Sequence, residues 1–144
     1  MEILKVDSPS EWVLDGLNAL LPQLSGKADL LGSNELARIV ASDCTTLLIA
    51  AEGHKVLGSL TLAIFRIPTG LRVRIEDVVV DGSARGRGIG ELLMRRALEL
   101  ARAKGADTID LTSRRTRVAA NRLYRKLGFV VRDTNTYQYT SRQA

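Results

Sequence analysis

From Thr45 to Val80 the chain is almost unbroken β-type sequence, interrupted only at Gly53-His54-Lys55 and at Pro68-Thr69-Gly70. TTLLIAAE and VLGSLTLAIFRI are joined tightly enough to form a hairpin, and LRVRIEDVVV follows as the third strand of a meander. A chain that commits its middle to consecutive strands must cover their faces with the segments on either side. Those segments are mostly helical by pattern. After a short edge strand at Glu2 to Val6, Ser8-Pro9-Ser10-Glu11 offers a capping box with proline at the first helical position. Trp12, Val13, Leu17, Leu20 and Leu21 then recur at helical spacing, and Pro22 predicts the stop. Gln23 to Gly32 reads as a loop, and Ser33 caps a second helix that carries Leu36, Ile39 and Val40 and ends before Asp43.

Beyond the meander, Gly88 to Lys104 is an amphipathic helix ended by Gly105, with Ile89, Leu92, Leu93, Ala97 and Leu100 on its apolar side. Thr108 to Thr112 reads as a short strand, Ala119 to Lys126 as a helix closed by Gly128, and Phe129 to Arg132 and Thr136 to Thr140 as two last strands. The expected fold class is α/β (α+β), a mixed, largely antiparallel central sheet flanked by helices. With 144 residues and neither repeat nor linker, the expectation is one domain, 1–144.

Composition narrows the classes. A 45% hydrophobic chain of this size buries close to 70% of its unfolded surface without disulfides or a structural metal. Cys44 is the sole cysteine and is expected to be a small buried apolar residue, while His54, the sole histidine, sits at an exposed turn. A Cys/His metal site therefore lacks ligands, and no metal is expected. The formal charge of +5 favours phosphate-bearing partners. Nucleic acid is disfavoured, because the basic residues are mixed with Asp and Glu and the 4% of aromatics form no stacking cluster. No apolar run approaches the roughly 18 residues of a membrane span, and MEILKVDSPSEW lacks the pattern of a leader, so the expectation is no membrane and a cytoplasmic location.

The chemistry concentrates in VVVDGSARGRGIGELL, where a strand enters a loop of small and basic residues and then a helix N-terminus. First-turn amides and the positive end of the helix dipole favour an anion there, and Gly86, Gly88 and Gly90 let the backbone approach a phosphate closely. Arg85 and Arg87 add charge. A P-loop lacks its Gly-Lys-Ser/Thr, and Glu91 occupies the last glycine position of G-x-G-x-x-G, so a pyrophosphate without either motif is the natural ligand.

Arg85-x-x-Gly88-x-Gly90 after an apolar strand, followed downstream by AANRLYRKLGF, resembles the GCN5-related N-acetyltransferase (GNAT) family, most strongly from Ile75 to Val131. The resemblance implies acetyl-CoA as acetyl donor and direct transfer to a primary amine of a small molecule or peptide. It implies that the backbone of Val78, Val79 and Val80 contacts the pantetheine arm. The amides of Arg85, Gly86, Arg87, Gly88, Ile89 and Gly90 would cradle the pyrophosphate, and Asn121 would bond the pantetheine. Tyr124 would protonate the leaving thiolate, and an amide near Val78 would stabilise the oxyanion.

Glu76 is the expected base and Asp77 its rival. A regular pleat puts them on opposite faces, a bulge would re-aim the second, and pairing of Glu76 with Arg72 or Arg74 would make it structural. Bulk water could also take the proton. The arginines of Ser113 to Arg117 could clamp an acidic substrate or cofactor phosphates, or be solvated surface. The competing function is a catalytically inactive CoA-binding sensor or interaction domain. A homodimer is compatible with the sequence, which fixes neither oligomeric state nor acceptor.

Overall fold

The β-type middle of the chain folds into consecutive antiparallel strands. In the computed structural model, which describes residues 1–26 and 29–141, β1 (Glu2–Lys5), β2 (Thr45–Glu52), β3 (Lys55–Ile67) and β4 (Gly70–Val80) form one sheet in that order. Every neighbouring pair is antiparallel. The β2–β3 turn is the two residues Gly53 and His54, because Glu52 pairs directly with Lys55. Helices α1 (Glu11–Leu24), α2 (Ser33–Ala41), α3 (Ile89–Ala103) and α4 (Val118–Lys126) complete the architecture. The mixed α/β class with a largely antiparallel sheet flanked by helices is thus the class observed.

The described residues fall into two compact units, Met1–Thr112 and the chain from Ser113 onward. The first holds the sheet. On one face Leu47, Ile49 and Val56 pack with Val13, Leu17 and Leu20 of α1 and Leu36 of α2. On the other, Leu48, Leu60, Leu62, Val73 and Ile75 are buried in alternation with these, and α3 contributes Ile89, Leu93, Met94 and Ala97. Each fully buried leucine contributes about 1.5–3 kcal/mol relative to leaving it exposed. The backbone of Gly58 lets α3 approach: a Cβ there would stand 3.2 Å from both Ile89 Cγ2 and Leu93 Cδ1, and 3.0 Å from the Val79 carbonyl oxygen.

Several local expectations are corrected. The first helix starts at Glu11 with Ser10 as its N-cap residue, and the Ser8 and Ser10 hydroxyls bond each other at 3.2 Å instead of capping the helix. Pro22 does not stop it. Proline removes only one i→i−4 bond in the last turn, and the helix continues to Leu24, with Ser25 N–H donating to Leu21 O at 3.0 Å. The loop expected from Gln23 therefore begins later; its residues 27 and 28 lie outside the described residues. Cys44 is exposed rather than buried, because it sits in the turn that leads into β2.

Thr108 to Thr112 forms no strand. Its pairing is an isolated parallel bridge, Arg74↔Asp110, in which Ile75 N–H donates to Asp110 O and Asp110 N–H to Val73 O, both at 3.0 Å. In the second unit α4 closes as expected: Gly128 N–H donates to Arg125 O and Phe129 N–H to Tyr124 O, the bonding of a Schellman motif. The strands expected at Phe129 to Arg132 and Thr136 to Thr140 are absent, and Val130, Val131, Tyr137 and Tyr139 are exposed. Strand-forming composition gives a ladder only where a partner edge is available, and a lone hairpin is marginal in water.

Candidate active site

The decisive irregularity of the sheet lies in β4. Pairing with β3 steps from Thr61↔Glu76 to Ser59↔Val79, so that Asp77 and Val78 stand opposite Leu60 alone. This is a β-bulge, and its first residue, Asp77, has φ +52, the only positive φ at a non-glycine position among the described residues. Aspartate tolerates the left-handed region better than most side chains. The alternation expected to place Asp77 with Ile75 is broken. Ile75 stays in the core, while Asp77 lines a cavity of about 120 Å³ together with Leu17 and Leu20 of α1, Thr61 of β3 and Val79.

This position changes the chemistry of the carboxylate. Desolvation pushes the Asp77 pKa above its ordinary value, and the negative charge of Glu76 pushes it the same way. Glu76 is differently engaged: its Oε1 accepts a hydrogen bond from Arg74 Nε at 3.0 Å, and both side chains remain substantially exposed. Both carboxylates are exposed, but Glu76 is ion-paired with Arg74 whereas Asp77 lies beside the leucines that line the cavity.

At the end of β4, Val79 is buried, and Val78 and Val80 are half-buried. A short 3-10 turn, Gly82–Ala84, leads to the glycine-rich segment. Gly86 has φ +82 and Gly88, the N-cap of α3, has φ +76; an added Cβ at either would find no atom within 4 Å. Glycine at these two positions therefore shapes a left-handed turn that opens onto space. The first intrahelical bond runs from Leu92 N–H to Gly88 O at 3.1 Å, so the amides of Ile89 and Gly90 precede it at the positive end of the helix dipole. Ile89 itself is an α3 anchor with 2% exposure. Of the two arginines here, Arg85 is exposed, whereas Arg87 pairs with Glu52 of β2 at 2.8 Å. Glu91, a negative charge in the first turn of α3, is paired with Arg95 at 2.9 Å.

In the second unit Tyr124 is buried and meets Phe129 edge-on, with ring centroids 6.1 Å apart. Burial raises its pKa above the ordinary tyrosine value, outweighing the opposite pull of Arg117, so the hydroxyl is a proton donor at neutral pH. Asn121 Nδ2 donates to Arg114 O at 2.9 Å and to Arg117 O at 2.8 Å. Those bonds pin the Ser113 to Arg117 loop to α4 and leave the Asn121 carbonyl oxygen as the group to offer a ligand.

Two amide side chains of α1 carry contacts that sequence reasoning misses. Asn18 brackets Leu31, with Nδ2 donating to its carbonyl at 3.0 Å and Oδ1 accepting from its amide at 2.7 Å, which holds the segment after α1 beside the cavity. Gln23 similarly grips Asp81 and Gly82 at the exit of β4. Neither partner is local, so no spacing rule could reveal them. His54 is exposed as expected, and its ring stacks on Trp12 with centroids 4.7 Å apart.

Comparison with known proteins identifies the family and the fold. The model of the acetyltransferase (GNAT) family matches residues 17–129. A stretch of 75 residues is 41% identical to glucosamine 6-phosphate N-acetyltransferase 1 of Oryza sativa, covering 52% of this chain and 42% of that protein. Another, of 72 residues, is 39% identical to streptothricin acetyltransferase of Streptomyces lavendulae, covering 49% of this chain and 38% of that protein. The matches thus span about two fifths of these relatives. Among solved structures, an acetyltransferase of Trypanosoma brucei superposes with a TM-score of 0.79 at 27% identity, over 96% of this chain and 99% of that one.

Proposed function

The chain belongs to the acetyltransferase (GNAT) family, and from that membership we propose that it transfers an acetyl group from acetyl-CoA to a primary amine of a small molecule. The observation that carries this reading is the bulge that sets Asp77, exposed to solvent yet with a raised pKa, at the lining of a mostly apolar cavity. A surface sheet has no need of such a feature, whereas an amine acceptor needs a group to take its proton.

The open left-handed turn at Gly86 and Gly88 fits a pyrophosphate, which a Cβ at either position would approach. The amides of Ile89 and Gly90 would bond its oxygens, with Arg85 adding charge. The pantetheine would lie along Val78 to Val80, and the family resemblance assigns Asn121 a bond to it. When bound, acetyl-CoA supplies the activated acetyl group as a thioester.

The remaining chemistry belongs to the chain. Asp77 accepts the proton of the incoming ammonium, directly or through water, because desolvation and the charge of Glu76 make it a better base than a solvated aspartate. Glu76, the base expected from the sequence, is assigned instead to holding Arg74 and to raising the basicity of Asp77. Leu17, Leu20 and Val79 exclude water from the amine-bearing end of the acceptor. A cavity of about 120 Å³ takes a small amine, or only that end of a larger one. Tyr124, protonated at neutral pH, is assigned to giving a proton to the departing sulfur.

Release of free thiol from acetyl-CoA over a panel of primary amines tests the proposal. Turnover with at least one amine is expected. Tight CoA binding without turnover on any of them would favour the non-catalytic sensor. Tyr124→Phe is expected to keep CoA affinity within about twofold while kcat falls about 10²-fold, the low end for a general acid. A kcat within twofold of the parent would leave Tyr124 a packing residue.

A further inference from the structure

We propose that Gln23 is a positioning residue for the acetyl-CoA turn, a latch that ties this turn to the helix lining the acceptor cavity. The inference rests on the reading of Gly86 to Gly90 as the pyrophosphate site. Gln23 Nε2 donates to Asp81 Oδ1 at 2.7 Å and to Ala19 O at 3.3 Å, while Oε1 accepts from Gly82 N–H at 2.8 Å. The carboxylate and the helix carbonyl require the amide nitrogen, and the Gly82 N–H requires the oxygen. One orientation of the side chain therefore satisfies all three partners.

The place of these contacts gives them their consequence. Asp81 and Gly82 are the joint at which β4 ends and the 3-10 turn begins. Asp81 organises that turn: its carbonyl accepts from Ala84 N–H at 2.9 Å and its Oδ2 from the Ser83 hydroxyl. Those donors, Ser83 first and then Gln23, hold the Asp81 carboxyl below its ordinary pKa, so it stays charged and bonded. Ala84 is itself buried, and Arg85 follows directly. The residue that sets the direction of the cofactor turn is thus fixed from α1, across 58 positions of sequence.

The same helical turn of α1 presents Leu20, Leu21 and Leu24 to the cavity that Asp77 lines. A displacement of this turn when an amine enters the cavity would move Gln23, and through it Gly82. Occupancy of either site should therefore change affinity at the other, by the same factor in both directions. Gln23 touches neither reacting group; it acts through Asp81 and Gly82.

Gln23→Leu preserves size and removes all three bonds. It is expected to raise the CoA Kd, measured by calorimetry, and the KM for acetyl-CoA about 3- to 10-fold, the scale of one net hydrogen bond, with kcat within twofold and the thermal midpoint little changed. Gln23→Glu keeps the acceptor for Gly82 N–H but sets a carboxylate against Asp81, so it too should weaken binding. Adding Asp81→Asn to Gln23→Glu reverses donor and acceptor between the two positions and should recover most of the lost affinity. A CoA Kd unchanged in Gln23→Leu, whether or not the thermal midpoint falls, would overturn the proposal. So would failure of Asp81→Asn to rescue Gln23→Glu. If the parent protein itself binds no CoA, the pyrophosphate reading fails first and this inference falls with it.

Discussion

Asp77→Asn is expected to lower kcat/KM for the best acceptor by about 10³-fold, within the range for loss of a general base, while CoA affinity stays within about twofold. The substitution keeps a side chain that tolerates the left-handed backbone at φ +52 and removes the negative charge and with it the capacity to take a proton. The pH profile carries the sharper discrimination. With Asp77 as base, the acidic limb of kcat/KM reports its raised pKa. Glu76→Gln removes the neighbouring negative charge that helps to raise it, so the limb should move to lower pH while much of the activity is retained. If Glu76 is the base, the pattern inverts: Glu76→Gln collapses activity and Asp77→Asn leaves most of it. If both variants keep the parental rate and profile, the amine loses its proton to bulk water before it binds.

Gly88→Val should abolish CoA binding without unfolding the protein. An added Cβ meets no atom within 4 Å, so the main cost to the fold is the left-handed backbone at φ +76, about 1–2 kcal/mol and more for a β-branched residue. Its cost to the ligand is larger. The branched side chain would project toward the space where a pyrophosphate approaches the α3 amides, and losing two charge-assisted bonds of about 1.5–3 kcal/mol each corresponds to roughly 10²- to 10⁴-fold in Kd. Calorimetric titration with CoA, alongside a thermal melt of the variant, reads both effects. Arg85→Ala should weaken binding less than tenfold, since the amides and the helix terminus remain. Parental affinity in Gly88→Val would place the phosphates elsewhere.

The sequence was legible where structure depends on neighbours in the chain. Two residues at Gly53-His54 suffice to set the β2–β3 hairpin, and the glycine-rich stretch announces its turn because glycine accommodates the left-handed backbone found at Gly86 and Gly88. The Gly128 terminus of α4 likewise depends on bonds within a few residues. The features that escaped depend on distant partners. The side chain of Asp77 turns because β3 and β4 shift register opposite Leu60, and a strand's own alternation contains no record of its neighbour's register. Gln23 meets Asp81 only after the sheet has formed. Pro22 signals a helix end, yet losing one bond in a last turn is a small penalty beside the burial of Leu17 and Leu20. The FVV and YQY segments have the composition of strands, but composition cannot supply an edge to pair with.

The bulge at Asp77 also sets selection for robustness against selection for turnover. A non-glycine residue in the left-handed region costs about 1 kcal/mol or more, and glycine at this position would relieve that strain. A carboxyl whose folded pKa is raised adds to stability below its unfolded pKa and loses that contribution as pH rises through the folded one; Asp77, with its raised pKa, obeys this rule. Above that window its charged form is a second burden on the folded state. Variants enriched for heat resistance at higher pH would therefore drift toward an uncharged residue, glycine above all, at the position proposed to take the proton. On the proposed assignment, an aspartate at this position trades durability of the fold for chemistry.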